Sequence, residues 1–233
     1  VKFSAGLVTI GDSVFSECTS LKNVRLPNTL KNIGAYAFWC CTEMTEMMLP
    51  DSVTTIEEYV FGCDDYWGDF ESNLTTFNFP MAWTSAGSDI FYGCKKLTSI
   101  TIPGNIKKIP DRAFEYCIEL EEIIIEEGVK HIGEKAFYGV RKFTKISIPN
   151  SIETIGYLAF WAHDKDMPTT SDEYGVYLGN EENPYYALLS MLEFQFVKRS
   201  DANIAKGKYI EALKQLEAHG FVNNYIATGL TIP

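Results

Sequence analysis

The sequence repeats itself with a period of 23 residues, and this period constrains the fold more than any other feature. The consensus unit reads isoleucine, glycine, two variable residues, a small or branched aliphatic residue, and phenylalanine, with single departures such as Glu57 and Pro110 at the glycine position. A cysteine, a leucine, further aliphatic residues and a proline follow. The frame begins at Ile10, Ile33, Ile56, Ala86, Ile109, Ile132 and Ile155. Self-similarity at such a period indicates a solenoid, in which neighbouring units stack and share one core.

Each unit contains a short predicted strand just before the proline. In residues 97–102 the first, fourth and sixth positions are apolar, and the fifth points to the opposite side. This alternation is typical of a strand with one buried face, and proline ends it because it has no N–H for a ladder. We therefore predict one strand per unit, starting at residues 2–3, in a parallel ladder. The isoleucine-glycine segment is predicted to form a short helical or 3₁₀ turn.

The repeat unit, as in residues 109–125, resembles the BspA-like leucine-rich repeat, and the resemblance covers residues 1–163. The resemblance implies an α/β, right-handed leucine-rich-repeat solenoid, with the parallel strands on its concave face and the helical turns on its convex face. Members of that family are mostly bacterial and protist surface proteins, and adhesion or host-protein binding has been proposed for some. The resemblance thus implies an extracellular or cell-surface location.

The repeat pattern stops after Phe160. We predict that residues 164–233 form an irregular C-terminal cap or module. It contains one helix over about residues 203–219, where Ile210, Leu213 and Leu216 make an apolar stripe and Gly220 follows as a stop. Residues 230–233 repeat the strand ending of residues 100–103, so a repeat-like strand is predicted there.

The six cysteines favour packing over chemistry. Cys18, Cys41, Cys94 and Cys117 all follow the repeat phenylalanine by three residues. One residue type in one repeat position indicates a buried column of free thiols. Cys40 and Cys63 occupy the preceding position in adjacent units, so a disulfide between them is geometrically feasible, as is the reduced pair.

Signatures of catalysis are missing from the sequence, and we predict a protein that is not an enzyme. No Cys-x-x-Cys pair is present, and the three histidines fall in different units, so no metal or other cofactor is expected. The formal net charge of −11 argues against nucleic-acid binding, which needs clustered lysine and arginine. No apolar run is long enough for membrane insertion.

The strand face that points away from the core is the first predicted partner-binding surface. Such a face is extended and preformed, which lowers the cost of ordering on binding. The alternative is a merely solvated face. The candidate residues are Arg25, Glu46, Met48, Asn78, Thr101, Glu122, Ile124 and Lys145.

An insert in the third unit, at about residues 64–73, is the second candidate. It lengthens one interval from 23 to 30 residues and brings Tyr66, Trp67 and Phe70. Inserts in repeats form loops on one side of the solenoid, and large aromatic residues are common interface anchors. The alternative is that these rings cover the edge of the core.

These observations predict a non-catalytic adhesion module of a cell-surface protein that binds an extracellular protein or glycan. Two alternatives remain open. One is a structural spacer in a larger surface protein, and the other is a non-catalytic region of a multidomain enzyme.

Overall fold

The computed structural model describes residues 3–63, 71–140, 142, 145–147, 149, 151–156 and 159–160, with the backbone alone for residues 145–147. Within these residues the chain coils into a parallel β-solenoid with one turn per repeat unit, as predicted. The predicted C-terminal module, its helix and its terminal strand lie outside the described residues.

Most turns carry two short strands, where the sequence predicted one. The strands are β1 (Thr9–Ile10), β2 (Asn32–Ile33), β3 (Glu46–Met47), β4 (Thr55–Ile56), β5 (Thr76–Phe77), β6 (Ser85–Ala86), β7 (Ser99–Ile102), β8 (Lys108–Ile109), β9 (Glu122–Ile125), β10 (His131–Ile132), β11 (Lys145–Ser147) and β12 (Thr154–Ile155). The predicted strand at residues 21–26 forms none of these.

The predicted ladder is the first face of the solenoid, which we call the strand face: β3, β5, β7, β9 and β11. The other seven strands form a second face around the isoleucine of the repeat. Neighbouring turns approach closely on this face. A Cβ placed on Gly133 would lie only 2.6 Å from the backbone nitrogen of Asp111. Gly133 therefore lets its turn stack on the preceding one at strand spacing.

The third face, the turn face, carries the isoleucine-glycine-x-x-alanine-phenylalanine segment. The predicted helical or 3₁₀ structure is not found in the described residues, which form turns here. Phe38 N–H donates to the Val60 carbonyl (3.1 Å) and Cys40 N–H to the Gly62 carbonyl (3.0 Å), both in the next turn. Tyr36 and Cys40 adopt positive φ angles of 57° and 52°. An α-helix would keep these N–H groups for its own carbonyls, so hydrogen bonding between turns replaces it.

The core is a column of phenylalanines that runs through all the described turns. Consecutive ring centroids are 5.0 to 6.0 Å apart and the rings are nearly parallel. Every member from Phe38 onward is buried, whereas Phe15, in the first described turn, is half-buried. The aliphatic residues of both ladders pack around this column.

The cysteine column is confirmed at three of its four positions. Cys41, Cys94 and Cys117 are buried free thiols. The Cys117 thiol donates to the carbonyl of Phe91 in the preceding turn (3.2 Å). Cys18 is exposed, contrary to the prediction. Its turn is the first of the described residues, which provide no preceding turn to cover it.

Cys40 and Cys63 form a disulfide between adjacent turns, with their Cα atoms 4.5 Å apart. Of the two states that the sequence left open, the structure therefore has the oxidised one. Both residues are buried at the turn face. The bridge ties together the two turns that precede the insert.

Thiol labelling of the native protein should separate the exposed cysteine from the buried ones. Burial raises the pKa of the Cys94 thiol to about 12, so little reactive thiolate forms at neutral pH. We expect Cys18 to react faster than Cys94 and Cys117 by about 100-fold or more. Mass spectrometry after short exposure to a maleimide would measure this. Equal rates at all three sites in the folded protein would contradict the described packing.

Candidate binding surfaces

The structure places four of the eight predicted strand-face residues at the surface. Arg25, Glu46, Met48 and Thr101 are exposed, and Met48 is 54% exposed, which is high for a large apolar side chain. Asn78, Glu122 and Ile124 are half-buried. Lys145 is placed by its backbone alone, and Tyr66, Trp67 and Phe70 lie outside the described residues.

Strand register divides the predicted residues into two groups. In the first group, Glu46 is level with Thr76 of β5. In the second group, Ser99, Glu122 and Lys145 are level with one another, and Thr101 is level with Ile124. Between these groups the ladder stops.

Both ladders are interrupted at the same place, between the turn with β5 and β6 and the turn with β7 and β8. On the strand face β5 pairs with β3, and β7 pairs with β9. On the second face β6 pairs with β4, and β8 pairs with β10. The turn face continues across the same boundary, where Phe91 N–H donates to the Ala113 carbonyl (2.9 Å). The stack is thus open on two faces and joined on the third.

The opening on the strand face is a cleft of about 320 Å³. Residues 75–79 line one wall and residues 99–101 with Pro103 line the other. Phe77 and Phe79 are half-buried and Ile100 is buried, while Thr76, Ser99 and Thr101 are exposed at the rim. The accessible surface of the cleft is therefore mostly polar and uncharged, with the apolar side chains beneath it.

Three aromatic residues of one turn account for the opening. Phe77, Phe79 and Trp83 occupy positions that are all isoleucine in the following turn. Their rings contact one another, with Phe79 stacked on Trp83 at 5.3 Å and Phe77 packed edge-on against Phe91 at 4.6 Å. The rings are bulkier than the isoleucines that they face, so the two turns splay apart at the ladders.

Two asparagines hold the turns at this opening. Asn78 accepts a hydrogen bond from Leu49 N–H (2.6 Å) and donates one to the Leu49 carbonyl (2.9 Å), which fastens its turn to the preceding one. Asn105 donates to the Met81 carbonyl across the opening (3.2 Å). Thr29, Ser52 and Ser151 donate to the preceding turn from the same repeat position, and the longer amide of Asn105 spans the wider gap. Asn78, predicted as a partner-binding residue, is thus engaged within the solenoid.

An aromatic stripe on the turn face was not predicted from the sequence. Its rings follow one another at centroid distances of 5.0 to 6.1 Å and are all half-buried. The signal was an aromatic residue beside the repeat phenylalanine, but its position shifts between units. The members are Tyr36, Trp39, Tyr59, Tyr92, Tyr116 and Tyr138.

Two buried carboxyl groups lie beside this stripe. Asp89 and Glu115 are only 2% and 5% exposed, and each has one oxygen without a hydrogen-bond partner. Burial raises the pKa of both, although the nearby Arg112 guanidinium opposes the rise. Asp89 also hydrogen-bonds Tyr59. The arrangement combines amphipathic rings with acidic hydrogen-bonding groups.

Within the described part of the chain, no group of three or more histidine, cysteine or acidic residues could hold a metal ion. No helix among those residues is long and apolar enough to cross a membrane.

Two crystal structures of bacterial leucine-rich-repeat proteins are similar to this chain. A leucine-rich cell surface protein from Faecalibacterium prausnitzii A2-165 is 29% identical, with a TM-score of 0.54 over 69% of this chain and 42% of its own length. The T. pallidum leucine-rich repeat protein is 27% identical, with a TM-score of 0.57 over 66% of this chain and 69% of its own. This chain thus spans less than half the length of the Faecalibacterium protein.

A third structure supports the fold alone. It is a leucine-rich repeat protein from Bacteroides ovatus ATCC 8483, 24% identical, with a TM-score of 0.53 over 69% of this chain and 45% of its own. No protein with curated annotation matches the chain in sequence. The model of the BspA-type leucine-rich repeat region matches residues 1–67 and 69–165 in six copies. The chain therefore belongs to the BspA-type leucine-rich repeat family.

Proposed function

We propose that this chain is a non-catalytic binding module of a bacterial cell-surface protein, and that it recognises an extracellular protein through its strand face. The observation that carries the proposal is the preformed strand face with its exposed Met48 and its open cleft. Hydrogen bonds and a stacked core hold this face in place, so little conformational entropy is lost on binding.

Two further observations support the location. The similar Faecalibacterium structure is described as a leucine-rich cell surface protein. The Cys40–Cys63 disulfide is of a kind that persists in oxidising compartments, such as the outside of the cell. Both fit a module that works beyond the cytoplasm.

An array of purified extracellular-matrix proteins and glycans tests the proposal. The informative variant is Met48→Lys, and the matched control is Val14→Lys. Both side chains are 54% exposed, but Val14 lies on the turn face, away from the strand face. We expect Met48→Lys to weaken binding to a protein ligand by about tenfold or more, equivalent to about 1.4 kcal/mol, and Val14→Lys to leave it unchanged.

The outcomes separate the candidates. Equal effects of both variants, or no protein ligand in the array, would contradict the proposal. The insert residues Tyr66, Trp67 and Phe70 are a further candidate contact. For these, Trp67→Ala should weaken binding without lowering stability if the ring is reserved for a partner, and should lower stability alone if the ring serves the fold.

A glycan is the second candidate ligand, favoured by the aromatic stripe. Half-buried amphipathic rings with tyrosine hydroxyls suit a ligand with one apolar face and many hydroxyls. In that case the array should report glycans. Tyr92→Ala should then abolish their binding, while Met48→Lys leaves it intact.

A further inference from the structure

The interruption of the ladder leaves main-chain groups of two strands directed into the cleft. The Thr98 carbonyl accepts from Glu122 N–H (3.2 Å) and the Ile102 carbonyl accepts from Glu126 N–H (2.9 Å), so these carbonyls point towards β9. Successive residues of a strand direct their N–H and C=O groups to opposite neighbours. Ser99 and Thr101 therefore direct theirs towards β5.

The opposite wall is arranged in the same way. Thr76 N–H donates to the Thr45 carbonyl (3.3 Å), so the main-chain groups of Thr76 face β3. Phe77 accordingly directs its N–H and C=O into the cleft. Two parallel edges thus face each other across about 320 Å³, and each is paired only on its far side.

We propose that the cleft between β5 and β7 binds an extended peptide segment by strand addition. This proposal rests on the function proposed above and names the kind of protein segment that the strand face takes. Strand addition uses the main chain of the ligand for affinity and its alternate side chains for specificity. The β7 strand has four residues, which corresponds to about 13 Å of extended peptide.

The walls indicate which side chains such a segment carries. Its inward residues meet Phe77 and Phe79 on one side and Ile100 on the other, so apolar side chains fit there. Its outward residues lie between Glu46, the register partner of Thr76, and Glu122, the register partner of Ser99. Each carboxylate stands about two strand spacings, about 10 Å, from the peptide axis. Outward lysine or arginine side chains are therefore favoured.

The probe is a fluorescent, end-blocked heptapeptide that alternates lysine and valine, titrated by anisotropy at low ionic strength. Three peptides serve as controls on the wild-type protein: one with glutamate for lysine, one with serine for valine, and one N-methylated at the central valine. We expect each to bind at least about tenfold more weakly than the probe. The N-methylated peptide keeps every side chain, but at one residue a methyl group replaces the main-chain donor, so its weakening indicates pairing through the main chain.

The matched protein variants are Thr101→Pro and Thr101→Val. Proline removes an N–H that faces the cleft, while the ladder to β9 uses the N–H groups of the neighbouring residues and stays intact. Valine keeps that N–H and suits a strand. We expect Thr101→Pro to weaken probe binding by about tenfold or more and Thr101→Val to leave it within about twofold. Circular dichroism verifies that the proline variant folds. The N-methylated peptide tests main-chain pairing on the wild-type protein and does not depend on that variant.

Hydrogen exchange of the free protein gives an independent result. The amides of Phe77, Ser99 and Thr101 should exchange fast without the probe and slowly with it. Slow exchange in the free protein would show that the edges are already paired and would overturn the proposal. So would equal binding of the N-methylated peptide, or equal affinities of folded Thr101→Pro and Thr101→Val.

The two proposals can fail separately. If Met48→Lys abolished the binding of a protein ligand and Thr101→Pro left it unchanged, the binding function would stand and strand addition would be overturned. If Thr101→Pro abolished probe binding while no protein in the array bound the chain, the cleft would stand as a peptide site. The proposed recognition of the proteins tested would then be overturned.

Discussion

Replacing Phe114 by alanine is expected to lower the free energy of unfolding by about 3–5 kcal/mol. The ring is 2% exposed and stacks on Phe91 at 5.0 Å and on Phe137 at 5.2 Å. Alanine would leave a cavity shared by three turns, and the rigid ladders on either side limit how far it can collapse. Urea denaturation followed by circular dichroism would measure the change.

The matched control for this variant is Phe15→Ala. Phe15 occupies the same repeat position but is half-buried and has one stacked neighbour in the column, Phe38 at 5.3 Å. Its removal should therefore have a clearly smaller effect. A loss below about 1 kcal/mol for Phe114→Ala would mean that the column does not form the core.

Removing the disulfide is expected to have the second-largest effect. The double substitution Cys40→Ser with Cys63→Ser opens a loop closed over 23 residues, and a loop of this length contributes about 3 kcal/mol in the chain-entropy model. Unfolding in urea without reductant would give the loss. A reducing agent should destabilise the wild-type protein by a similar amount and should not affect the double variant.

Cys18→Ser is the control for the disulfide experiment, because Cys18 is an exposed free thiol. It should leave stability within about 0.5 kcal/mol of wild type. If alkylation of the unfolded, unreduced protein modified all six cysteines, the bridge would be absent and the expectation refuted.

Repetition explains which parts of the fold could be predicted from the sequence. A residue type that recurs at one repeat position must meet its own copies in the stack, so the burial of Phe91 and Cys117 followed from spacing alone. The same reasoning misplaced Cys18. Burial depends on a neighbouring turn, and spacing does not show whether one covers the residue.

The second ladder and the turn face lay beyond this reasoning. Strands of two residues, such as Asn32–Ile33, are too short to show alternation. The segment that follows them has a spacing compatible with a helical turn. What excludes a helix is the positive φ of non-glycine residues such as Ser13 and Glu17, and these side chains give no sequence signal for that conformation.

The cleft could not be predicted because it depends on the combination of three substitutions. Phe77, Phe79 and Trp83 are each acceptable apolar residues at core positions. Only their placement in one turn, against isoleucines in the next, separates the strands. The residue positions in the repeat were therefore enough to predict the strand face. Its interruption depends on how the side chains of adjacent turns pack against each other.

The turn face also has an electrostatic polarity. Phe38, Phe61, Phe91 and Phe114 all donate their N–H groups to carbonyls of the following turn, and flanking residues do the same. Their peptide dipoles therefore add along the solenoid axis, as they do in a helix, but with the positive end towards the later turns. Whatever packs against the later end of this face must offer acceptors. Whatever packs against the earlier end must offer donors, so the two ends cannot exchange partners.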